Sequence, residues 1–252
     1  MKTISLIACA FAFTATSAVA ETVPVDLSTW STPDSNGNWN VAGDNNSVLQ
    51  TINGQPTVFL NGLNQTSYTL DGTWRVNTTG DDDFIGFVFG YQNPSQYYLL
   101  DWKQRAQSGG GGVAQAGFRI LKVDSDTAIP NIEFWPANSS AFTLLDSNLG
   151  TDKGWKDNTS YSFHLDFFTT PGQFSVEVKQ GELTLWDTVV LDTSFTSGQF
   201  GFYNYSQAQV QYAGFTQKLV EPPSEVPLPA AVWMFAPALM GFLGLRRRQT
   251  KA

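Results

Sequence analysis

Three adjacent carboxylates, Asp81, Asp82 and Asp83, stand directly before a run of strand-forming aromatic residues that begins at Phe84. Neighbouring negative charges repel one another unless a cation or bulk solvent relieves the repulsion. Calcium binds about six to eight oxygen atoms, and carboxylates are among its preferred ligands. The residues alone therefore leave two interpretations open, a calcium site and a solvated acidic turn.

Successive residues of an extended strand point to opposite faces, so three consecutive carboxylates cannot all reach one ion. We expect one or two of the three to ligate calcium directly. Backbone carbonyls, or more distant acids such as Asp71 or Asp101, would complete the ligand shell. The remaining aspartate would only tune the local field.

Residues for catalysis are hard to find. His164 is the single histidine, and strand alternation places it on a polar face, which disfavours a Ser-His-Asp triad. Glu133, Glu177 and Glu182 do not form the Glu-x-Asp-x-x-Glu strand motif of sandwich-fold glycoside hydrolases. Residues 109–112 are four glycines without a following Lys-Ser/Thr, which predicts a flexible loop rather than a phosphate site. We expect no enzyme activity, and the alternative is a carbohydrate-active enzyme.

The elements that must position these residues follow a period of two. In residues 160–167 aromatic and aliphatic side chains alternate with polar ones, and residues 173–179 repeat the pattern after a turn at 169–173. Similar short runs, broken by Gly, Pro and Asn, fill the rest of the body without a convincing amphipathic helix. This pattern predicts two packed antiparallel sheets.

The aromatic run after the three aspartates also alternates. Ile85, Phe87, Phe89 and Tyr91 share one face, which we assign to the core, while glycines at 86 and 90 lie on the other. Glycine inside a strand indicates either close approach of a backbone or ligand, or a bulge.

A second aromatic group follows in the next predicted strand. Tyr97, Tyr98 and Trp102 are residue types that stack on sugars. We expect at least two of the three to pack in the core instead.

The net charge of residues 21–225 limits the kinds of partner that the protein can bind. Residues 21–225 contain all 22 acidic residues and nine of the 14 basic ones, a net charge of −13. This balance disfavours nucleic acid and anionic lipid as partners and suits a surface that attracts cations. The single cysteine, Cys9, lies outside this body, so a disulfide or thiolate site within it is excluded.

The beginning of the chain has the pattern of a secretory signal. Residues 1–20 combine Lys2, an apolar run and a small-residue ending before Glu21. The alternative is a lipoprotein signal centred on Cys9. Both interpretations predict export.

The end of the chain has the pattern of a sorting segment. After a linker at 220–225, residues 226–248 contain a Val-Pro-Leu-Pro-Ala motif, an apolar stretch long enough for a transmembrane helix, and Arg246–Arg248. This order resembles the VPLPA variety of the PEP-CTERM signal of Gram-negative bacteria. The resemblance implies processing by an exosortase-type protease at the membrane; the alternative is a permanent membrane anchor.

Four blocks of the body resemble the C-terminal domain of thrombospondins. They are residues 38–62, 72–104, 154–163 and 189–207, and the second contains the Asp-Asp-Asp-Phe-x-Gly-Phe-x-Phe-Gly-Tyr-Gln signature. The resemblance implies an all-β concanavalin A/L-type-lectin-like sandwich (jelly roll) over residues 21–219. It further implies a calcium-binding adhesion module at the cell surface or in the matrix, with Asp81, Asp82 and Asp83 as metal ligands and a glycan or protein surface as partner. A structural matrix component is a third possibility.

The chain departs from this family at three places. The Asp-rich repeats that precede the domain are absent from the few residues before Trp39. A cysteine expected within residues 201–207 is replaced by Asn204, which removes the family's disulfide. Residues 105–112 are an insertion, so receptor contacts known near that position in the family are not carried over.

Overall fold

The chain folds into two antiparallel β-sheets that pack face to face. The structure is a computed structural model that describes residues 22–219. Its strands are β1 (Thr22–Pro24), β2 (Trp39–Val41), β3 (Ser47–Gln50), β4 (Thr57–Leu60), β5 (Tyr68–Val76), β6 (Phe84–Asn93), β7 (Gln96–Lys103), β8 (Gln107–Gly109), β9 (Gly112–Ala114), β10 (Gly117–Asp124), β11 (Phe142–Leu149), β12 (Ser160–Phe167), β13 (Phe174–Gln180), β14 (Leu183–Val190), β15 (Gln199–Tyr205) and β16 (Val210–Leu219).

The larger sheet has the order β14-β13-β12-β5-β16-β3-β2, with β1 paired to β16, and the smaller has the order β11-β10-β7-β6-β15-β4. Strands β8 and β9 form a separate hairpin. Helical structure within residues 22–219 consists of two short 3₁₀ turns, Leu27–Thr29 and Asn131–Phe134. The predicted all-β antiparallel sandwich is confirmed.

Strand alternation explains how the sheets bury one face. In β12 the side chains of Tyr161, Phe163 and Leu165 are buried, while His164 between them is partly exposed. Strand β13 pairs with β12 in the hairpin that the sequence predicts. A period of two thus sends one set of side chains into the space between the sheets.

The main core between the sheets is built from aromatic side chains. The ring of Trp74 from the larger sheet stacks on Phe163 at a centroid distance of 4.9 Å, and Phe87 of the smaller sheet packs against the same Phe163 at 4.9 Å. Tyr98 and Trp102 also belong to this core. Two of the three residues considered for sugar stacking therefore pack inside.

A second, smaller core covers the outer face of the six-stranded sheet. Val88, Leu99 and Leu121 on that face pack with Phe134 and Phe142, which come from or follow the segment 125–141. The smaller sheet is therefore buried on both sides over part of its area, and its polar groups on the outer face lie beneath this covering segment.

A β-bulge at Gly90 reverses the alternation near the end of β6. The register between β6 and β7 shifts between Phe89 and Asn93, and Gly90 has a φ of 57°. Tyr91 consequently belongs to the outer cluster rather than the main core. The prediction that Tyr91 shares the core face of Phe89 was wrong, because one residue in the left-handed region turns the following side chain to the opposite face.

The four consecutive glycines form an ordered turn. They connect β8 and β9, and the two central residues, Gly110 and Gly111, have φ values of 59° and 81°. Two residues with positive φ are what a type I′ hairpin turn requires. The predicted flexible loop is therefore a tight hairpin.

The ends of the chain lie outside the described residues. These are the predicted signal peptide at 1–20, the linker at 220–225 and the sorting segment at 226–248, which remain predictions. Among residues 22–219 there is no helix with the length and apolar character needed to cross a bilayer.

Gly86 allows β6 and β7 to approach closely, because a Cβ there would lie 2.0 Å from the Leu100 carbonyl oxygen. We expect Gly86→Ala to lower the free energy of unfolding by about 3 kcal/mol, since a backbone atom cannot rotate away. Gly43→Ala is the control, because its Cβ would meet nothing within 4 Å. Urea unfolding of both variants tests this, and equal stability of the two would contradict it.

Candidate metal centre

The three aspartates converge at the point where the chain enters β6. Asp81, Asp82 and Asp83 can each place one carboxylate oxygen within 4.8 Å of the others. Asp83 is buried, whereas Asp81 and Asp82 are partly exposed and line a polar depression of about 220 Å³. The loop thus gathers three oxygen ligands at a position that solvent can reach.

A fully buried lysine lies next to this group. Lys103 Nζ is 2.6 Å from Asp83 Oδ1 and also donates a 2.6 Å hydrogen bond to Gln107 Oε1. The rings of Phe84 and Trp135 flank the ammonium, with centroids 4.9 and 4.5 Å away. A buried lysine requires a counter-ion, and Asp83 supplies it by direct contact.

The backbone of Asp83 is fixed on both sides by buried side chains. Its N–H donates to Gln207 Oε1 at 3.1 Å, and its carbonyl accepts from Trp155 Nε1 at 2.9 Å. Asn204 Nδ2 in turn donates to the Gln207 carbonyl at 2.8 Å and its Oδ1 accepts from the Tyr212 hydroxyl at 2.6 Å. Asn204, where the resemblance predicts a cysteine, therefore helps to hold the loop by hydrogen bonds.

The pKa of Asp81 reflects how close its carboxylate lies to that of Asp83. Burial, then the hydrogen bond and the negative charge of Asp83, raise the pKa of Asp81 to about 6. Asn53 Nδ2 donates to the other side of the same carboxylate. A cation bound beside these carboxylates would oppose this rise in the pKa of Asp81.

Asp82 supplies an oxygen without a partner. Its Oδ1 is buried and accepts no hydrogen bond within the described residues; the nearest cation, Lys103 Nζ, is 3.8 Å away. The donor set of hard carboxylate oxygens suits calcium. Lys103 pairs with one of the three carboxylates, and the exposed Arg105 lines the same depression without a salt bridge to Asp81 or Asp82 among the described residues. The residues present therefore fit a divalent cation such as calcium.

Asp71 and Asp101 do not complete the ligand shell, which corrects the expectation from the sequence. Both oxygens of Asp101 accept from Arg119, at 2.9 Å from Nε and 2.6 Å from Nη2. Asp71 lies on the outer face of the larger sheet and contacts His164 at 2.7 Å. Each carboxylate is already paired at a separate place in the fold.

Sequence reasoning missed Lys103, the residue that fixes Asp83. The position of Lys103 could be inferred from the β6–β7 hairpin. Residues at equal distances from the turn of a hairpin lie opposite each other on the two strands. Counting from the Asn93–Gln96 pair without a bulge places Lys103 opposite Gly86, whereas the bulge shifts it opposite Phe84. The lysine was detectable in principle, but only with the bulge known.

His164 lies on the polar outer face, as predicted, and is clamped between two carboxylates. Its Nδ1 is 2.7 Å from Asp71 Oδ1 and its Nε2 is 3.3 Å from Asp166 Oδ2. The hydrogen bond with Asp71 raises the pKa of His164 to about 9, against an opposing effect of burial. The ring is thus an imidazolium at neutral pH, which is the wrong state for a general base.

A family model decides the relationship of this chain to known proteins. The model described as the thrombospondin C-terminal region matches residues 34–220. The chain belongs to this family. The resemblance inferred from the four sequence blocks is thereby confirmed, and the matched region includes all three aspartates.

Curated relatives from the thrombospondin C-terminal family agree. Cartilage oligomeric matrix protein of Rattus norvegicus is 31% identical over 186 residues, which is 70% of this chain and 25% of the relative. Thrombospondin-3b of Danio rerio is 30% identical over 183 residues, which is 69% of this chain and 20% of the relative. The chain thus spans about a quarter or less of the length of these relatives.

Solved structures show the lectin-like fold. The VIP36 exoplasmic/lumenal domain in its Ca²⁺/Man-bound form aligns with a TM-score of 0.54 at 9% identity, covering 79% of this chain and 86% of that one. Carbohydrate binding module CBM66 from Bacillus subtilis aligns with a TM-score of 0.51 at 12% identity, covering 75% and 95%. At such low identity the likeness concerns the fold alone.

Removing the buried ammonium should destabilise the protein. We expect Lys103→Met to cost about 3–5 kcal/mol in free energy of unfolding, because Asp83 would remain as an unpaired buried charge. Lys153→Met is the matched control, since Lys153 forms an exposed pair with Asp152, and should cost less than about 1 kcal/mol. Chemical unfolding in calcium-free buffer measures both, and a similar loss in the two variants would show that the buried pair is unimportant.

The clamped histidine should make stability depend on pH. Because the folded protein holds its proton to a pH of about 9 and the unfolded chain only to about 6.5, the melting temperature should fall as pH rises through this window. His164→Asn should remove this part of the fall. Calorimetry from pH 6 to about 9.5 tests the effect, and superimposable pH profiles for the two proteins would contradict it.

Proposed function

We propose that this chain is an exported calcium-binding module that recognises a glycan or protein surface. The observation that carries the proposal is the convergence of three carboxylates beside a buried ammonium, with one carboxylate oxygen of Asp82 buried and unpartnered. Asp81 and Asp82 are the direct ligands in this proposal. Asp83, paired with Lys103, holds the loop in place and tunes the local field.

Calcium would act here mainly as a structural ion. The loop 77–83 carries the carboxylates into β6, and its neighbours in space come from distant parts of the chain, including Asn53, Trp155 and Gln207. An ion that binds only the folded state stabilises it by RT ln(1 + [L]/Kd), about 2.7 kcal/mol at roughly a hundredfold excess over Kd. The bound ion would thus fix the end of the sandwich where these segments meet.

Family membership and fold support recognition rather than catalysis. The resemblance to thrombospondin C-terminal domains implies a calcium-associated adhesion module. Two neighbours in fold are described as a carbohydrate binding module and as a Ca²⁺/Man-bound domain. A lectin-like sandwich does not fix its ligand, so the glycan or protein surface is inferred from these names and remains part of the proposal.

The cellular setting is proposed from the ends of the sequence. The pattern at 1–20 supports export, and the pattern at 226–248 supports a transient membrane stage with processing by an exosortase-type protease. The name of cartilage oligomeric matrix protein supports a matrix or cell-surface location. We place the mature protein at the surface or in the matrix of a Gram-negative bacterium.

Calcium should raise the melting temperature of the protein, and magnesium should raise it less. Asp81→Asn/Asp82→Asn should abolish the calcium-specific rise while leaving the Lys103–Asp83 pair in place. Differential scanning calorimetry in calcium, magnesium and EDTA measures these shifts.

Asp187→Asn is the matched control, because Asp187 is exposed on β14 of the other sheet and its change should leave the calcium effect intact. A melting temperature that does not respond to calcium in the unaltered protein, or an equal response in the double variant, would identify the acidic run as a solvated turn.

The leading rival is a carbohydrate-active enzyme on the same fold. We expect no release of reducing ends from polysaccharides, because His164 is paired with two carboxylates and the sequence has no glycosidase glutamate motif. Incubation of the protein with a polysaccharide panel tests this. Hydrolysis that an Asp-to-Asn change abolishes would replace the binding proposal with the enzymatic one.

A further inference from the structure

A second cavity lies on the outer face of the six-stranded sheet, with a volume of about 210 Å³. Its walls include the buried tyrosines Tyr91, Tyr97 and Tyr203, each at most 5% exposed. Pro33 and Pro94 also line it and are exposed, so the cavity opens to solvent. This arrangement gives an accessible pocket with an aromatic interior, which we call the tyrosine pocket.

The bulge at Gly90 brings two of these rings together. By turning Tyr91 away from the main core, it places the Tyr91 and Tyr97 rings with centroids 5.3 Å apart and an angle of 30° between their planes. Tyr97 is also the one aromatic residue of its group that does not enter the main core. Both rings therefore belong to the pocket and not to the packing between the sheets.

Tyr203 supplies a polar group that lacks a partner. The residue is 1% exposed, and its hydroxyl forms no hydrogen bond with residues 22–219. Buried tyrosine hydroxyls normally find a partner. Burial raises the pKa of Tyr203 well above its usual range, so the phenol stays neutral and can donate. The hydroxyl is also closed to solvent, so a ligand hydroxyl could serve as its acceptor only where binding opens the cavity wall beside it.

The polar part of the pocket is rigid and carries no positive charge. Asp34 Oδ1 accepts from the Asn36 backbone N–H and from Thr57 Oγ1, both at 2.8 Å, which fixes its carboxylate against β4. No lysine or arginine is among the described residues that line the pocket. An anionic ligand would therefore meet a carboxylate without compensation, whereas a neutral polyol would find a fixed acceptor.

We propose that the tyrosine pocket binds one neutral pyranose unit of a saccharide. A pyranose ring has an apolar C–H face that fits against tyrosine rings, and its hydroxyls can pair with Asp34 and, where binding opens the wall, with Tyr203. The volume lies below the roughly 300 Å³ at which pockets for drug-sized ligands begin, which limits the site to a single ring. The choice of a saccharide as ligand rests on the proposed recognition function. Calcium binding is not required for it.

The pocket and the metal centre are separate along the sheet. Tyr91 follows Asp83 by eight positions in β6, which corresponds to roughly 26 Å of extended strand. Saccharide binding at the pocket therefore does not require calcium as a ligand. This separation allows the two sites to be tested independently.

Saturation-transfer NMR and calorimetry with methyl glycosides of glucose, galactose, mannose and N-acetylglucosamine test the proposal, with methyl glucuronide as the anionic comparison. A neutral glycoside should bind, equally in calcium and in EDTA, and the glucuronide should bind more weakly. Tyr203→Phe should weaken binding by about fivefold or more while the melting temperature does not fall, because the deleted hydroxyl has no partner in the free protein.

Tyr68→Phe is the matched control, since the Tyr68 hydroxyl is also buried without a partner among the described residues but lies in the main core. It should leave both the melting temperature and the saccharide affinity unchanged. The proposal would be overturned if no neutral glycoside bound at millimolar concentration, or if Tyr203→Phe left the affinity unchanged. Binding of a proline-rich peptide in place of sugar would also overturn it. Because the calcium-dependent melting is measured separately, failure of the pocket and failure of the metal centre are distinguishable.

Discussion

The pairing of Lys103 with Asp83 is the interaction on which the candidate site depends. A buried ammonium is tolerated only with a counter-ion, so the fold must deliver Asp83 to this position and hold it there. Its backbone bonds to Trp155 and Gln207, together with the Asn53 contact to Asp81, draw on all four of the sequence blocks that mark the family. These blocks, far apart in the chain, meet at one end of the sandwich. Each block thus supplies part of the charged loop or a residue that contacts it.

The same pairing explains why the loop suits a divalent cation. If all three aspartates were free, their mutual repulsion would favour an open, solvated turn. Lys103 cancels one charge and fixes one carboxylate, and the remaining two are left close together with one oxygen of Asp82 buried and unpartnered. The protein therefore supplies part of the compensating charge, and in the proposed function a calcium ion supplies the rest.

The sequence predicted the architecture well because alternation is a local signal. The buried residues of β12 and β13, the antiparallel sandwich and the family all follow from short patterns. Long-range pairing was harder to predict. The bulge at Gly90 turns Tyr91 to the outer face and changes the register that brings Lys103 to Asp83. Arg119 pairs with the carboxylate of Asp101, which short sequence patterns do not reveal. One residue with positive φ made the positions of both Tyr91 and Lys103 unpredictable from the sequence, because a register error propagates along a hairpin.

The most direct test of the metal centre is an anomalous difference map from crystals of the protein grown in calcium, collected at a long wavelength. The account predicts a peak bounded by the carboxylates of Asp81 and Asp82, at about 2.3–2.6 Å from their oxygens. Lys103 should remain paired with Asp83 in the same crystal. Ordered carboxylates that bond only to water, with no peak between them at millimolar calcium, would contradict it.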